Sequence, residues 1–106
     1  MEQKPWYVYV IETEKGLLYT GITNNMIRRF NEHLRTQKGR KGAKFFNFSV
    51  PKKLVYIEEV KNRSEATKKE VLIKKMTKLK KLELIRVFSS RSLEIREKIG
   101  FNSLSK

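Results

Sequence analysis

The 106-residue chain has no cysteine, one histidine and only two prolines. Without cysteine there is no disulfide framework and no thiolate metal centre, and one histidine excludes the multi-histidine zinc sites. Any metal must therefore be held mostly by oxygen. No apolar run approaches the roughly 20 residues that a membrane-spanning helix needs. The polar start MEQKP leads into no apolar signal-peptide core, so a soluble, cytoplasmic chain with no membrane partner is expected. Acidic residues are also scarce. Between Arg35 and Lys53 there are seven Lys and Arg and no acid, and between Lys61 and Arg86 there are ten bases against three acids.

Those two stretches each carry +7 and together account for the whole formal charge of +14. Clustered positive charge favours a polyanion, because neutralising phosphates releases their condensed counterions. Nucleic acid is the leading partner class. A solvated lysine-rich surface, an acidic protein and an anionic membrane are the alternatives on charge alone. The length suits one small domain with a single core, and a monomer is expected.

The local patterns place the elements. Tyr7 to Ile11 is β-branched and aromatic, Glu14-Lys15-Gly16 breaks the run, and Leu17 to Ile22 resumes it, which predicts a hairpin with a longer loop. Neither strand alternates cleanly between apolar and polar residues, which points to internal positions in the sheet or to one face lining a site. Asn24 or Asn25 can cap the helix that follows, with Ile27, Phe30 and Leu34 as its core stripe. Arg29 and His33 then fall one turn apart on another face, directed away from the core. Thr36 to Lys53 reads as a phosphate-gathering loop and Leu54 to Val60 as a third strand. Asn62 and Glu65 have capping-box spacing ahead of a helix from about Ser64 to Lys75. On that helix Glu70 lies between Ala66 and Ile73 on the inward side, where a carboxylate needs a partner. A further helix spans Lys78 to Ser89. Residues 1–89 are read as one domain and 90–106 as an extension whose structure the pattern does not define.

The ordered set YVYVI, LYTGIT, RRFNEH, GAK, LVY and SEATKKE resembles the GIY-YIG nuclease superfamily, most closely its small single-domain bacterial branch, over roughly Trp6 to Met76. Tyr7-Val8-Tyr9 stands for the first motif, with Tyr7 in place of the namesake glycine, and Tyr19-Thr20-Gly21 for the second. The resemblance implies an α+β fold, a small three-stranded mostly antiparallel sheet flanked by helices. It also implies hydrolysis of phosphodiester bonds in DNA, structured or branched DNA included, with one Mg²⁺ or Mn²⁺.

In that reading Tyr9 or Tyr19 orients or deprotonates the attacking water, and Arg29 holds the scissile phosphate. His33 positions or exchanges a proton, and Glu70 supplies the one protein oxygen to the metal. Tyr7 and Gly21 are structural at the site, the glycine leaving room for close approach. Where relatives often continue after GAK with Tyr, Thr and Arg, this chain has Phe45, Phe46 and Asn47, so the phosphate contacts that relatives make there are expected to be either absent or shifted to Arg40, Lys41 and Lys44. Arg28, Lys74 and Lys75 complete the expected nucleic-acid surface. Taken singly, paired strand tyrosines are ordinary packing, Arg29 with His33 a solvated helix face, and Glu70 an ion-pair member. A non-catalytic DNA- or RNA-binding module on the same fold is the competing reading.

Overall fold

The computed structural model describes residues 4–35 and 49–101. Seven elements follow in order: β1 (Trp6–Thr13), β2 (Leu18–Thr23), α1 (Met26–Arg35), β3 (Pro51–Val60), α2 (Arg63–Lys74), α3 (Lys78–Val87) and α4 (Ser89–Ile99). The three strands form one antiparallel sheet in the order β2-β1-β3, so the fold is α+β with helices on both faces. The third strand starts at Pro51, three residues before the expected Leu54, and takes in the end of the basic loop segment. Among the described residues no helix is long and apolar enough to cross a membrane.

Local chemistry sets the boundaries. The β1–β2 turn closes with Thr13 N–H donating to the Leu17 carbonyl at 2.9 Å and Gly16 N–H to the Thr13 carbonyl at 2.9 Å. Gly16 takes φ +82° there, a conformation that L side chains rarely adopt. Asn25 caps α1 by accepting from Arg28 N–H at 3.1 Å, and Asn62 caps α2 by accepting from Glu65 N–H at 2.9 Å. Thr77 starts α3 in the same way, accepting from Lys80 N–H at 3.2 Å.

Strand β1 is central and presents two apolar faces. Tyr7, Tyr9 and Ile11 join Met26, Phe30, Leu54, Ile57, Ile95 and Phe101 on one side. Val8 and Val10 join Tyr56, Ala66 and Ile73 on the other. Pairing skips a residue between Val10↔Tyr56 and Ile11↔Leu54. This bulge allows Leu54 and Ile57, three apart, to share one face.

Two sequence expectations need correction. Strand β2 is an edge and not an internal strand. Its lack of alternation reflects cover on its faces, and face cover carries no information about hydrogen-bonded neighbours. On α1 the stripe expected from Ile27, Phe30 and Leu34 is instead Met26, Phe30 and His33, with Ile27 and Leu34 exposed. His33 points into the protein, not away from it. The helix is rotated by about one residue because the imidazole finds a hydrogen-bond partner inside, which offsets the cost of burying its polar atoms.

The stretch after Ser89 forms α4, which covers the outer edge of β3. Ser92 Oγ accepts from Ile57 N–H at 3.0 Å and donates to the Ile57 carbonyl at 3.2 Å. Arg96 Nη1 donates to the Leu54 carbonyl at 3.1 Å. One hydroxyl thus satisfies both backbone groups that the edge strand would leave exposed to another chain. Ser92→Ala is expected to lower stability by about 1–3 kcal/mol, since it strands a buried donor and acceptor together. Urea unfolding of the variant checks this, and an unchanged midpoint would mean that water replaces the hydroxyl.

Candidate functional site

Cross-strand register assembles the first half of the site. Tyr9 lies opposite Gly21 and Ile11 opposite Tyr19, so Tyr9 and Tyr19 are diagonal neighbours on one face, with ring centroids 6.3 Å apart. The glycine is what admits the Tyr9 ring. A Cβ at Gly21 would stand 2.5 Å from the Tyr9 hydroxyl oxygen and 2.7 Å from Cζ. Tyr7, two residues earlier on the same face, is buried in the core cluster. Burial, then the Glu59 carboxylate, raises its phenol above the usual tyrosine value.

Helix α1 supplies the second half. Its buried face carries His33 to the tyrosines: Nε2 is 2.8 Å from Tyr9 Oη, and the imidazole meets the Tyr19 ring edge-on at 5.4 Å. Arg29, one turn earlier, is half-buried. Its Nη1 donates to Glu32 Oε1 at 2.7 Å. From the same helix Arg28 projects into solvent and approaches the other Glu32 oxygen at 3.9 Å.

Burial is the main influence on both partners of the central hydrogen bond. It lifts the Tyr9 phenol well above the ordinary tyrosine range, with Tyr19 adding to the rise and the nearby Arg29 guanidinium opposing it. Burial, assisted by the Arg29 charge, lowers His33 to about 4. At neutral pH the pair is thus a phenol and an uncharged imidazole. With its proton on Nδ1, the ring presents the Nε2 lone pair to the Tyr9 hydroxyl. For Arg29, burial is the largest single influence and works against the charge, but the bond to Glu32 and the interactions with Tyr9 together outweigh it, and the guanidinium stays firmly cationic.

Glu70 arrives from α2, which packs over β2 and β1. Its side chain is half-buried on the helix that buries Ala66 and Ile73, and its negative charge is a minor influence on the Tyr9 hydroxyl. Lys74 Nζ pairs with it at 3.2 Å. Lys69, next in sequence, pairs instead with Glu58 at 3.3 Å, and Glu58 accepts a hydrogen bond from the buried Tyr56 hydroxyl. The fold therefore gathers Tyr9, Tyr19, Arg29 and His33 into one cluster and brings the Glu70 charge to bear on it. Of the expected nucleic-acid contacts, Arg28 and Lys75 are exposed, while Lys74 is tied to Glu70. Arg40, Lys41 and Lys44 lie outside the described residues. Glu32, which pairs with Arg29, was not singled out from sequence, although its spacing of three from Arg29 in RRFNEH was the available signal.

Among the described residues no three His, Cys, Asp or Glu side chains converge as a metal cage. A single recessed carboxylate such as Glu70 suits a hard cation that keeps most of its waters, as Mg²⁺ does. The donor set fits one such ion.

A sequence profile described as the GIY-YIG catalytic domain matches residues 5–83. A UPF0213 protein of Desulfotalea psychrophila is 39% identical over 85 residues, covering 80% of this chain and 74% of that protein. A UPF0213 protein of Syntrophus aciditrophicus is 42% identical over 80 residues, covering 76% and 88%. The solution NMR structure of a UPF0213 protein from Bacillus halodurans superposes with a TM-score of 0.52 at 27% identity, covering 96% of this chain and 98% of that one.

Two outcomes follow from the packing. Gly21→Ala should displace the Tyr9 ring and cost about 1–3 kcal/mol through overpacking, which a thermal melt and loss of the Tyr9–His33 contact by NMR would register. His33 should also make stability depend on pH. The unfolded chain protonates this imidazole near 6.5 and the folded protein only near about 4. Between those values the unfolded state binds more protons, so stability falls as pH drops through the window. Denaturant titrations from pH 7 to 4 should lose that slope in His33→Gln. An identical slope in the variant would assign it to other groups.

Proposed function

The chain belongs to the GIY-YIG catalytic-domain family, a nuclease family, and from that premise we propose that it is a metal-dependent endonuclease. In this reading it hydrolyses phosphodiester bonds in DNA, structured or branched DNA included, in preference to RNA, and acts as a cytoplasmic monomer. The observation that carries the reading is the buried 2.8 Å hydrogen bond between Tyr9 and His33 with the Arg29 cation beside it. The Tyr9–His33 bond also serves packing, and it is the half-buried guanidinium beside that pair that favours an anionic ligand.

The reaction needs a water oriented towards phosphorus, a place for its proton, and cationic help for the phosphate oxygens. Tyr9 serves the first need through its hydroxyl. As the water oxygen bonds to phosphorus, the Tyr9 hydroxyl takes the water's proton and passes its own to His33 Nε2, so the tyrosine remains a phenol throughout. His33 is uncharged at neutral pH and so has a lone pair for that proton, and the negative charge that builds up on the phosphate in the same step would offset its low basicity. The bond from phosphorus to the leaving oxygen breaks, and that oxygen takes a proton from solvent. Tyr19 packs against the imidazole and fixes the ring plane. Arg29 supplies the fork of donors for the non-bridging oxygens. Glu70 would hold one Mg²⁺ or Mn²⁺, with Lys74 giving up the carboxylate. When bound, such an ion contributes positive charge that stabilises charge building up on the phosphate. Arg28, Lys74 and Lys75, together with Arg40, Lys41 and Lys44, are the proposed contacts to the flanking backbone.

Cleavage of a labelled panel of single-stranded, duplex, flapped and branched DNA, with matched RNAs, in Mg²⁺ or Mn²⁺ tests this. The wild type should yield metal-dependent products, and Glu70→Ala should lose them. Arg29→Ala should slow single-turnover cleavage by about 10²–10³-fold with little change in Tm. Tight, salt-sensitive binding without products from the wild type would instead identify a binding module.

A further inference from the structure

Among the described ion pairs, Arg29–Glu32 stands apart. The other pairs spaced three residues along a helix, Arg86–Glu83 at 3.9 Å, Lys68–Glu65 at 4.0 Å and Arg91–Glu94 at 3.3 Å, involve side chains at least half exposed. Such pairs contribute little to stability, because solvent screens them and two long side chains must be ordered. Arg29–Glu32 is the shortest at 2.7 Å, and its cation is the least exposed of the set at 30%. It also sits where stability is a poor explanation, beside the hydroxyl that the proposed mechanism uses.

An arginine that is to meet a phosphate faces a conformational problem. Its long stem carries roughly 2 kcal/mol of rotamer entropy, and a fork pointing the wrong way offers no transition-state contact. Glu32 addresses this from one edge. A charge-assisted bond to Nη1 holds the guanidinium beside Tyr9, which it also hydrogen-bonds, and a planar group with five donors is not exhausted by these two partners. The arrangement has an electrostatic cost. A carboxylate against the guanidinium weakens its attraction for another anion, so Glu32 favours orientation at some expense of ground-state binding.

We propose that Glu32 is a positioning residue of this site, acting on phosphodiester cleavage through Arg29. The inference rests on the nuclease reading above and adds a residue to it. It makes a signed prediction that general structural damage does not share. Removing the carboxylate frees the guanidinium to attract DNA from many orientations, while the productive one becomes rare. Substrate affinity then holds or improves as turnover falls, a split between KM and kcat.

The test is a kinetic cycle on the best substrate of the panel. Glu32→Ala should reduce kcat about 10- to 100-fold without raising KM, the range in which supporting contacts to a functional group fall. Glu32→Gln keeps an oxygen acceptor and should recover most of kcat. The double variant Arg29→Ala/Glu32→Ala should be no slower than Arg29→Ala, because Glu32 has nothing to position once the arginine is gone. Unchanged kcat in Glu32→Ala, or a double variant slower by the full product of the single effects, overturns the positioning role and leaves the nuclease reading standing. A wild type that cleaves no member of the panel removes both.

Discussion

The hydrogen bond from Tyr9 to His33 is the contact on which the arrangement of this protein depends. It joins the central strand to the first helix across 24 residues of sequence. By giving a buried imidazole a partner, it sets the rotation of α1 about its axis. That rotation buries Met26 and Phe30, leaves Ile27 and Leu34 in solvent, and places Arg29 one turn away beside the same hydroxyl. The contact in turn requires Gly21, since any side chain there would occupy the space of the Tyr9 phenol. Packing and site geometry are therefore linked, since Tyr9 and His33 of the candidate site are also fully buried.

The opposite face of the sheet carries the helix that delivers Glu70. Ala66 and Ile73 anchor α2 through apolar contact with Val8, Val10 and Tyr56. A polar chain from Tyr56 through Glu58 to Lys69 adds a second tie between α2 and β3. Lys69 and Glu70 are adjacent, so the side chain that ties the helix to β3 and the one whose charge reaches Tyr9 are set by the same turn. The edge strand β3 is itself held by α4 through Ser92 and Arg96. The framework behind Glu70 thus runs to the end of the described chain.

Charge divides in a way that fits this framework. The acids near the site are engaged: Glu32 with Arg29, Glu70 with Lys74, Glu58 with Lys69. Most of the surplus lysines of α2 and α3 stay exposed, among them Lys68, Lys75, Lys78 and Lys80. Counterion release makes such a surface attractive to a polyanion whatever its sequence, whereas selectivity must come from the site.

Much was legible in the sequence because it is carried by local chemistry. Strand runs of β-branched and aromatic residues, Gly16 at the turn, and Asn25 and Asn62 ahead of their helices each act within a few residues, so their positions could be read without a fold. The residues proposed for the site could be named for a related reason, in that the spacing of Tyr9, Tyr19, Arg29, His33 and Glu70 is a linear pattern. What the sequence could not decide is how those elements turn towards one another. The burial of His33, the edge position of β2 and the seating of Ser92 on Ile57 depend on contacts between residues far apart in the chain. Apolar periodicity offered two nearly equivalent stripes on α1 sharing Phe30. Only the tertiary structure could choose between them, because the deciding energy belongs to a hydrogen bond whose other half lies on a different strand.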